Sequence, residues 1–235
     1  MTNDSLLAHY HATKDKLDAH NATYHAHATL IAVSKTHPDQ AIRELVSVGQ
    51  RDFGENYLQE ALAKMAKLSD LPIIWHYIGH IQRNKTKDIA THFDWVQTVE
   101  RTIIAERLNN QRPDGLPPLN VLIQINIDDE DSKSGCQPHE VDKLVACILN
   151  LPKLSLRGLM IIPSKDGTDA FACTKAMFDE LKSKYDLPNF DTLSMGMSGD
   201  MEQAVACGST MVRVGTNIFG QRPYAHSPLN SVSQP

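Results

Sequence analysis

The chain has 235 residues, of which 41% are hydrophobic and 22% charged, an ordinary balance for a globular protein long enough to bury a substantial core. A formal net charge of -5 leaves no basic footprint for nucleic acid beyond a local run from Arg83 to Lys87, and no segment reaches the roughly 20 apolar residues that span a bilayer. The N-terminal "MTNDSLLAHYHATKDKLDAH" lacks the basic start and apolar run of a secretory signal, so a soluble cytoplasmic protein is expected, with neither nucleic acid nor membrane as partner.

Cys136, Cys147, Cys173 and Cys207 are widely spaced and form no C-x-x-C pair. They are expected to be free thiols rather than a zinc or redox motif. His9, His11, His20, His25 and His27 crowd the first segment, yet no carboxylate or thiol set completes a metal site beside them, and no metal is expected.

Apolar runs of strand length alternate with helical patterns almost from end to end. Residues 5–23 have helical spacing, Leu30 to Ser34 form a strand, and Pro38 suits the first turn of a helix with Ile42, Leu45 and Val46 on one face and a stop near Gly49. "RDFGEN" is a second strand, followed by "YLQEALAKMAKL" with Leu58, Leu62 and Met65 at helical spacing. "IIWHYIG" is a third strand before the polar helix "QRNKTKDIATHF", and "DWVQTVE" is a fourth before "RTIIAERLNNQ". "LNVLIQINI" is the fifth and clearest strand, with a helix from about Pro138 to Asn150 after it. "LSLRGLMII" is the sixth, and Phe171, Thr174, Phe178, Leu181 and Tyr185 stripe the next helix. "DTLSMG" and "STMVRVG" close the series.

About eight strands separated by helices, with no Gly/Pro/Ser-rich linker between them, predict a single α/β domain: a (β/α)8 TIM barrel over residues 1–224, with a C-terminal tail over 225–235. A doubly wound open sheet uses the same alternation and is the competing arrangement. Both place active residues at the carboxyl ends of strands.

Lys35 follows the first strand. Either its stem covers the barrel rim with the ammonium in water, or its amine is desolvated near apolar walls and attacks a carbonyl to form a Schiff base. Two loops offer an anion cradle. "SMGMSGD", Ser194 to Asp200, leaves the seventh strand with Gly196 and Gly199 allowing close approach and Ser198 as an N-cap and donor; "RVGTNIFG" leaves the eighth strand through Gly215 and Thr216. Barrels frequently bind phosphate with these two loops, although glycine and serine are also common in ordinary turns. Asp200 opposes an anion unless it faces solvent or orients a neighbour. Arg213, between Val212 and Val214, is an interior guanidinium that requires a partner: a structural carboxylate, or a ring nitrogen that it would keep unprotonated.

The set "AVSKTHP", "DFGENYLQE", "WHYIGHIQRNK", "DDEDSKSGC", "GLMIIP" and "SMGMSGDMEQAVACGSTMVRVGTNIFG" resembles the YggS/PROSC family, the pyridoxal phosphate homeostasis proteins, from about Leu30 to Gln221. The resemblance implies a fold like the barrel domain of alanine racemase, with pyridoxal 5'-phosphate (PLP) held as an internal aldimine on Lys35. It implies that Ser198, Gly215 and Thr216 bind the phosphate, that Arg213 faces the pyridine nitrogen, and that Asn56 and Met195 lie beside the ring. Members of the family are regarded as binding, buffering and delivering the cofactor without established turnover, with apo PLP-dependent enzymes as recipients.

His76, Gly79 and His80 match a family motif at the third strand end, where His76 is expected to pack in the core or rim. Lys133 in "DSKSG" is a second lysine near the open face that would assist imine exchange or hold a transferring cofactor. Gly199 stands where the family often has an acidic residue. A PLP-dependent racemase or decarboxylase is the rival reading; by resemblance to alanine racemase it needs a β-domain and a dimer partner, which this length leaves no room for, so a monomer is expected. A Schiff-base aldolase is the third reading, with Tyr57, Tyr77 or His80 as its acid/base group.

Overall fold

The computed structural model describes residues 3–128, 134–164 and 169–221. After the first helix α1 (Asn3–Tyr24), strands and helices alternate: β1 (Thr29–Val33), α2 (Asp39–Ser47), β2 (Asp52–Glu55), α3 (Leu58–Lys67), β3 (Ile74–Tyr77), α4 (Thr86–His92), β4 (Trp95–Val99), α5 (Thr102–Gln111) and β5 (Leu119–Ile125). The second half continues with α6 (Val141–Ile148), β6 (Leu154–Ile161), α7 (Ala170–Lys184), β7 (Thr192–Ser194), α8 (Met201–Ala206), β8 (Met211–Val214) and the single turn α9 (Thr216–Phe219). The strands pair in parallel and in sequence order, and β1 pairs β8 to close the barrel. The TIM barrel is the architecture, and the open sheet is excluded by that closing ladder.

Strand periodicity sorts the side chains. Leu30 and Ala32 on β1, Phe53 on β2, Leu193 on β7, and Val212 and Val214 on β8 join the large apolar cluster between the barrel and its helices. Ile31, Trp95, Leu122, Met160 and Met211 form a second cluster inside the barrel. Because successive side chains in a strand point to opposite faces, Lys35 continues the inward parity of Ile31, Asn56 that of Gly54, and Arg213 that of Met211. The register sets Ile31 beside Arg213 and Ala32 beside Val214, so the residues following β1 and β8 emerge at one height.

Several local expectations are corrected. Pro38 takes the N-cap position of α2, one residue before the helix, and the helix stops before Gly49 at φ 101°. The fourth helix is split into a 3-10 turn (Arg83–Lys85) and α4, and the segment from Pro138 opens with another 3-10 turn (Pro138–Glu140). On α3 the buried positions are Leu58, Ala61 and Lys64, with Leu62 and Met65 only partly buried. Lys64 takes one of the buried positions of that helix, where it pairs with Glu55 and Glu60. Ser198 is not the N-cap of α8; Asp200 is. The proposed tail, 225–235, and Lys133 lie outside the described residues.

Candidate functional site

Lys35 is partly buried on the turn that follows β1, and the turn is tied down on three sides. The ammonium of Lys64 donates to Ser34 O at 2.7 Å, Glu55 Oε1 at 2.7 Å and Glu60 Oε1 at 2.5 Å, which uses all three of its protons. Ser34 Oγ donates to Glu55 Oε1 at 2.7 Å, and the Thr36 N–H donates to Glu60 Oε1 at 2.6 Å. Thr36 has φ 67°, a left-handed conformation that costs a β-branched residue on the order of 1–3 kcal/mol and persists only where its surroundings enforce it. The ring of His37 stacks on Phe219 at 4.9 Å between centroids, joining this turn to α9.

Glu55 is fully buried. Burial pushes its carboxyl pKa up, against the opposing pull of Lys64 and Ser34, and its Oε2 has no hydrogen-bond partner. The charged pair therefore positions the turn at an electrostatic cost.

Arg213 enters the barrel interior from β8 and is 5% exposed. Its Nη1 donates to Ser194 Oγ at 2.6 Å and its Nη2 to Ile161 O at 2.7 Å. Neither partner is a carboxylate, so the charge is hydrogen-bonded without being neutralised on contact. Desolvation lowers its pKa to about 10, with the nearby Asp200 charge opposing; the group stays cationic at neutral pH.

The loops after β7 and β8 form the adjoining wall. Gly196 has φ 93°, and a Cβ there would lie 2.5 Å from Ala204 Cβ, so only glycine lets the chain turn back onto α8. Asp200 Oδ1 accepts from the Met197 N–H at 2.5 Å, the orienting role open to it in the sequence. Ser198 is half-buried, Gly199 and Thr216 are exposed, and Gly199 has open space around its Cα. Gly215 packs against Val33, with a Cβ reaching 3.3 Å from Val33 O.

Met195 takes the outward parity: it is fully buried in the cluster between barrel and helices, and its N–H donates to Met211 O at 3.1 Å. Asn56 follows β2 with its Oδ1 buried and without a hydrogen-bond partner. Gly79 is what lets β3 approach it, because a Cβ there would stand 2.1 Å from Asn56 O.

The other sequence candidates lie on and around β2 and β3. His80 is exposed, with Nδ1 at 3.6 Å from Glu100 Oε1. Tyr77 packs edge-on against Phe93 in the outer cluster and donates to His80 O at 3.1 Å, and burial raises its pKa. Tyr57 is half-exposed at the N-cap of α3. His76 is fully buried inside the barrel. Sequence reasoning missed Glu55, Lys64, Gln97 and Ser194. The i,i+4 pair of Glu60 and Lys64 was the available signal for the first group; a glutamine in an apolar strand carries none.

None of the four cysteines is in a disulfide. Among the described residues no helix is long and apolar enough to cross a membrane, and no group of three or more His, Cys, Asp or Glu residues could hold a metal ion.

Comparison with known proteins places these features in a family. The family described as "Alanine racemase, N-terminal domain" matches residues 9–223. Proteins named "Pyridoxal phosphate homeostasis protein" from Escherichia coli and Pseudomonas aeruginosa are 54% identical over 205 residues and 55% identical over 197 residues, covering 84% and 83% of this chain and 87% and 85% of theirs. The structure of PipY from Synechococcus elongatus, with PLP bound, has a TM-score of 0.74 at 36% identity, covering 87% of this chain and 100% of that one. Alanine racemase from Corynebacterium glutamicum, at 16% identity and a TM-score of 0.70 over 96% of this chain and 62% of its own, shares the fold. The chain belongs to the YggS/PROSC family of pyridoxal phosphate homeostasis proteins, built on the alanine racemase N-terminal domain.

Proposed function

We propose that this protein binds PLP covalently through Lys35 and holds it for delivery to apo PLP-dependent enzymes, without turning over a substrate of its own. The observation that carries the reading is the convergence at one end of the barrel of Lys35 after β1, the buried and un-neutralised Arg213 on β8, and the partnerless Asn56 Oδ1 after β2. The donor set fits the cofactor: an amine for its aldehyde, a permanent cation for its ring, and two glycine-containing loops for its phosphate. When bound, PLP supplies an aldehyde that condenses reversibly with primary amines.

In this reading the pinned turn holds the Lys35 amine in place. Ser198 offers a hydroxyl to the phosphate, and Gly215 and Thr216 offer backbone N–H groups from their open loop. Asn56 flanks the ring, and Met195 contributes through the loop it begins, since its side chain packs outward. Gly199, His80 and Lys133 are secondary candidates. Arg213 does not surrender its proton at neutral pH, so a facing pyridine nitrogen stays an acceptor and the ring is a weak electron sink. That suits holding the cofactor better than stabilising a carbanion. The PLP in the PipY structure and the names of the close relatives support the same assignment.

Borohydride reduction followed by peptide mass spectrometry tests the attachment: the expected adduct is on Lys35 and is absent from Lys35→Ala. An undiminished adduct on another residue in Lys35→Ala would overturn it. Incubation with a panel of L-amino acids is expected to yield no sustained racemisation or decarboxylation, and turnover that vanishes in Lys35→Ala would replace storage with catalysis. Transfer to an apo-enzyme faster than cofactor release into buffer is the expected mark of delivery.

A further inference from the structure

Five side chains from five strands form a hydrogen-bonded line through the barrel interior. Arg213 Nη1 meets Ser194 Oγ at 2.6 Å, Ser194 Oγ meets Gln97 Oε1 at 2.6 Å, Gln97 Nε2 meets His76 Nδ1 at 3.0 Å, and His76 Nε2 meets Asp52 Oδ1 at 2.9 Å. Ser194, Gln97 and His76 are each fully buried. Asp52, the first residue of β2, lies toward the opposite end of the barrel with its side chain 19% exposed.

With a neutral His76 ring, the two ends set the direction of every link. A guanidinium only donates, so Ser194 accepts from it and places its single proton on the Gln97 carbonyl oxygen. That orients the Gln97 amide, whose NH2 then faces His76 Nδ1. Nδ1 must accept, which leaves the His76 proton on Nε2, aimed at a carboxylate that only accepts. Reversing any one link would set two donors or two acceptors face to face. The His76 ring is held flat by Trp95, stacked at 5.5 Å and 17°, while Arg157 covers the indole at 4.7 Å.

Arg213 has five N–H groups, and the bonds to Ser194 and Ile161 account for two. Ser194 is its side-chain anchor, and Gln97 fixes where the Ser194 oxygen sits. We infer that Gln97 is a positioning residue for the cofactor ring: it anchors Ser194, which sets the plane of the Arg213 guanidinium, while His76 and Asp52 lock the Gln97 amide from behind. The inference rests on the proposed binding of PLP, and it adds that the ring contact is set by a line of hydrogen-bonded side chains ending at Asp52 toward the far mouth of the barrel.

The test compares Gln97→Met, which keeps the volume and removes both links, with Gln97→Glu, which keeps an acceptor for Ser194. Each is loaded with PLP carrying 15N in the ring. Gln97→Met is expected to retain the borohydride adduct on Lys35, to release the cofactor about tenfold faster, as for loss of a hydrogen bond to a charged group, and to shift the ring-nitrogen signal toward its protonated position. Gln97→Glu is expected to restore most of the wild-type signal. A Gln97→Met holo-protein with the wild-type signal and release rate overturns the inference, since a purely structural role would lower stability without moving either.

The wild-type protein supplies an independent check. 15N-histidine NMR is expected to find His76 protonated on Nε2 and bare on Nδ1; the opposite tautomer overturns the line even if the Met variant does not fold. Failure of the wild-type chain to form any adduct would instead strike the PLP reading itself.

Discussion

The two walls of the barrel mouth are built on different physics. Behind Lys35, on the β1–β2 side, the chain is held by buried charges: Lys64 between Glu55 and Glu60, with Ser34 and Thr36 drawn in. On the β7–β8 side the chain is held mainly by neutral bonds, with Ser209 Oγ donating its single proton to Met195 O at 2.7 Å and lying 3.0 Å from Met211 O, and small residues lining the loops. Buried charges cost more to assemble and much more to break than neutral hydrogen bonds. The lesson is a division of labour: Lys35 sits on a turn of fixed geometry, and the loops after β7 and β8 are held more lightly, which under the proposed function suits a cofactor that must arrive and leave.

The largest predicted effect comes from breaking the charged wall. Lys64→Met leaves the fully buried Glu55 without its cation and is expected to cost about 3–5 kcal/mol in denaturant unfolding. Adding Glu55→Gln to that variant is expected to return most of the loss, because the orphaned charge is gone; strict additivity of the two changes would mean the pair is not coupled.

The charged wall also has a pH signature. Burial raises the folded-state pKa of Glu55 above its ordinary value of 4.5, so the folded chain holds this proton more tightly than the unfolded chain. That contribution to stability is fully present below the unfolded pKa and is lost as pH rises through the folded one. Relative to Glu55→Gln, the wild-type chain is therefore expected to lose stability as pH climbs from about 4.5, at no more than about 1.4 kcal/mol per pH unit. A difference that stays flat across the window would place the carboxylate in a more solvated setting than its burial implies.

The smallest effect is on the neutral wall. Ser209→Ala, at a residue 2% exposed, is expected to cost about 0.5–1.5 kcal/mol in thermal or chemical unfolding. A loss as large as that of Lys64→Met would erase the contrast between the walls.

Much of this molecule was legible from residue order. Strand-length apolar runs separated by helical spacing specify a parallel sheet covered by helices, since each strand must bury both faces and each helix one, and the β1–β8 ladder makes that sheet a barrel. Lys35, Arg213 and the two glycine-bearing loops stand out in the sequence because strand ends carry the active residues of this architecture, and the fold brings them to one end of the barrel. The Met195 side chain was a harder case: its position in "SMGM" places it beside the loop, but strand parity turns it outward into the helix-packed cluster. Ser198 and Asp200 are both N-cap types, and it is the fold that puts Asp200 at the start of α8, two residues beyond Ser198, with its Oδ1 accepting from the Met197 N–H.

By itself the sequence determined the order of elements and the resemblance to the family, which depend on local periodicity and on motifs read along the chain; the β1–β8 ladder decided the barrel over the open sheet. Only the tertiary structure decided that Lys64 is buried against Glu55 nine residues earlier in the chain, and that Ser194 and Gln97, 97 residues apart, share a hydrogen bond. A polar side chain looks solvent-facing in a sequence unless its partner is known. Barrel closure brings β2, β3, β4, β7 and β8 around one interior, and there the cost of burying an unpaired polar group forces those partners together.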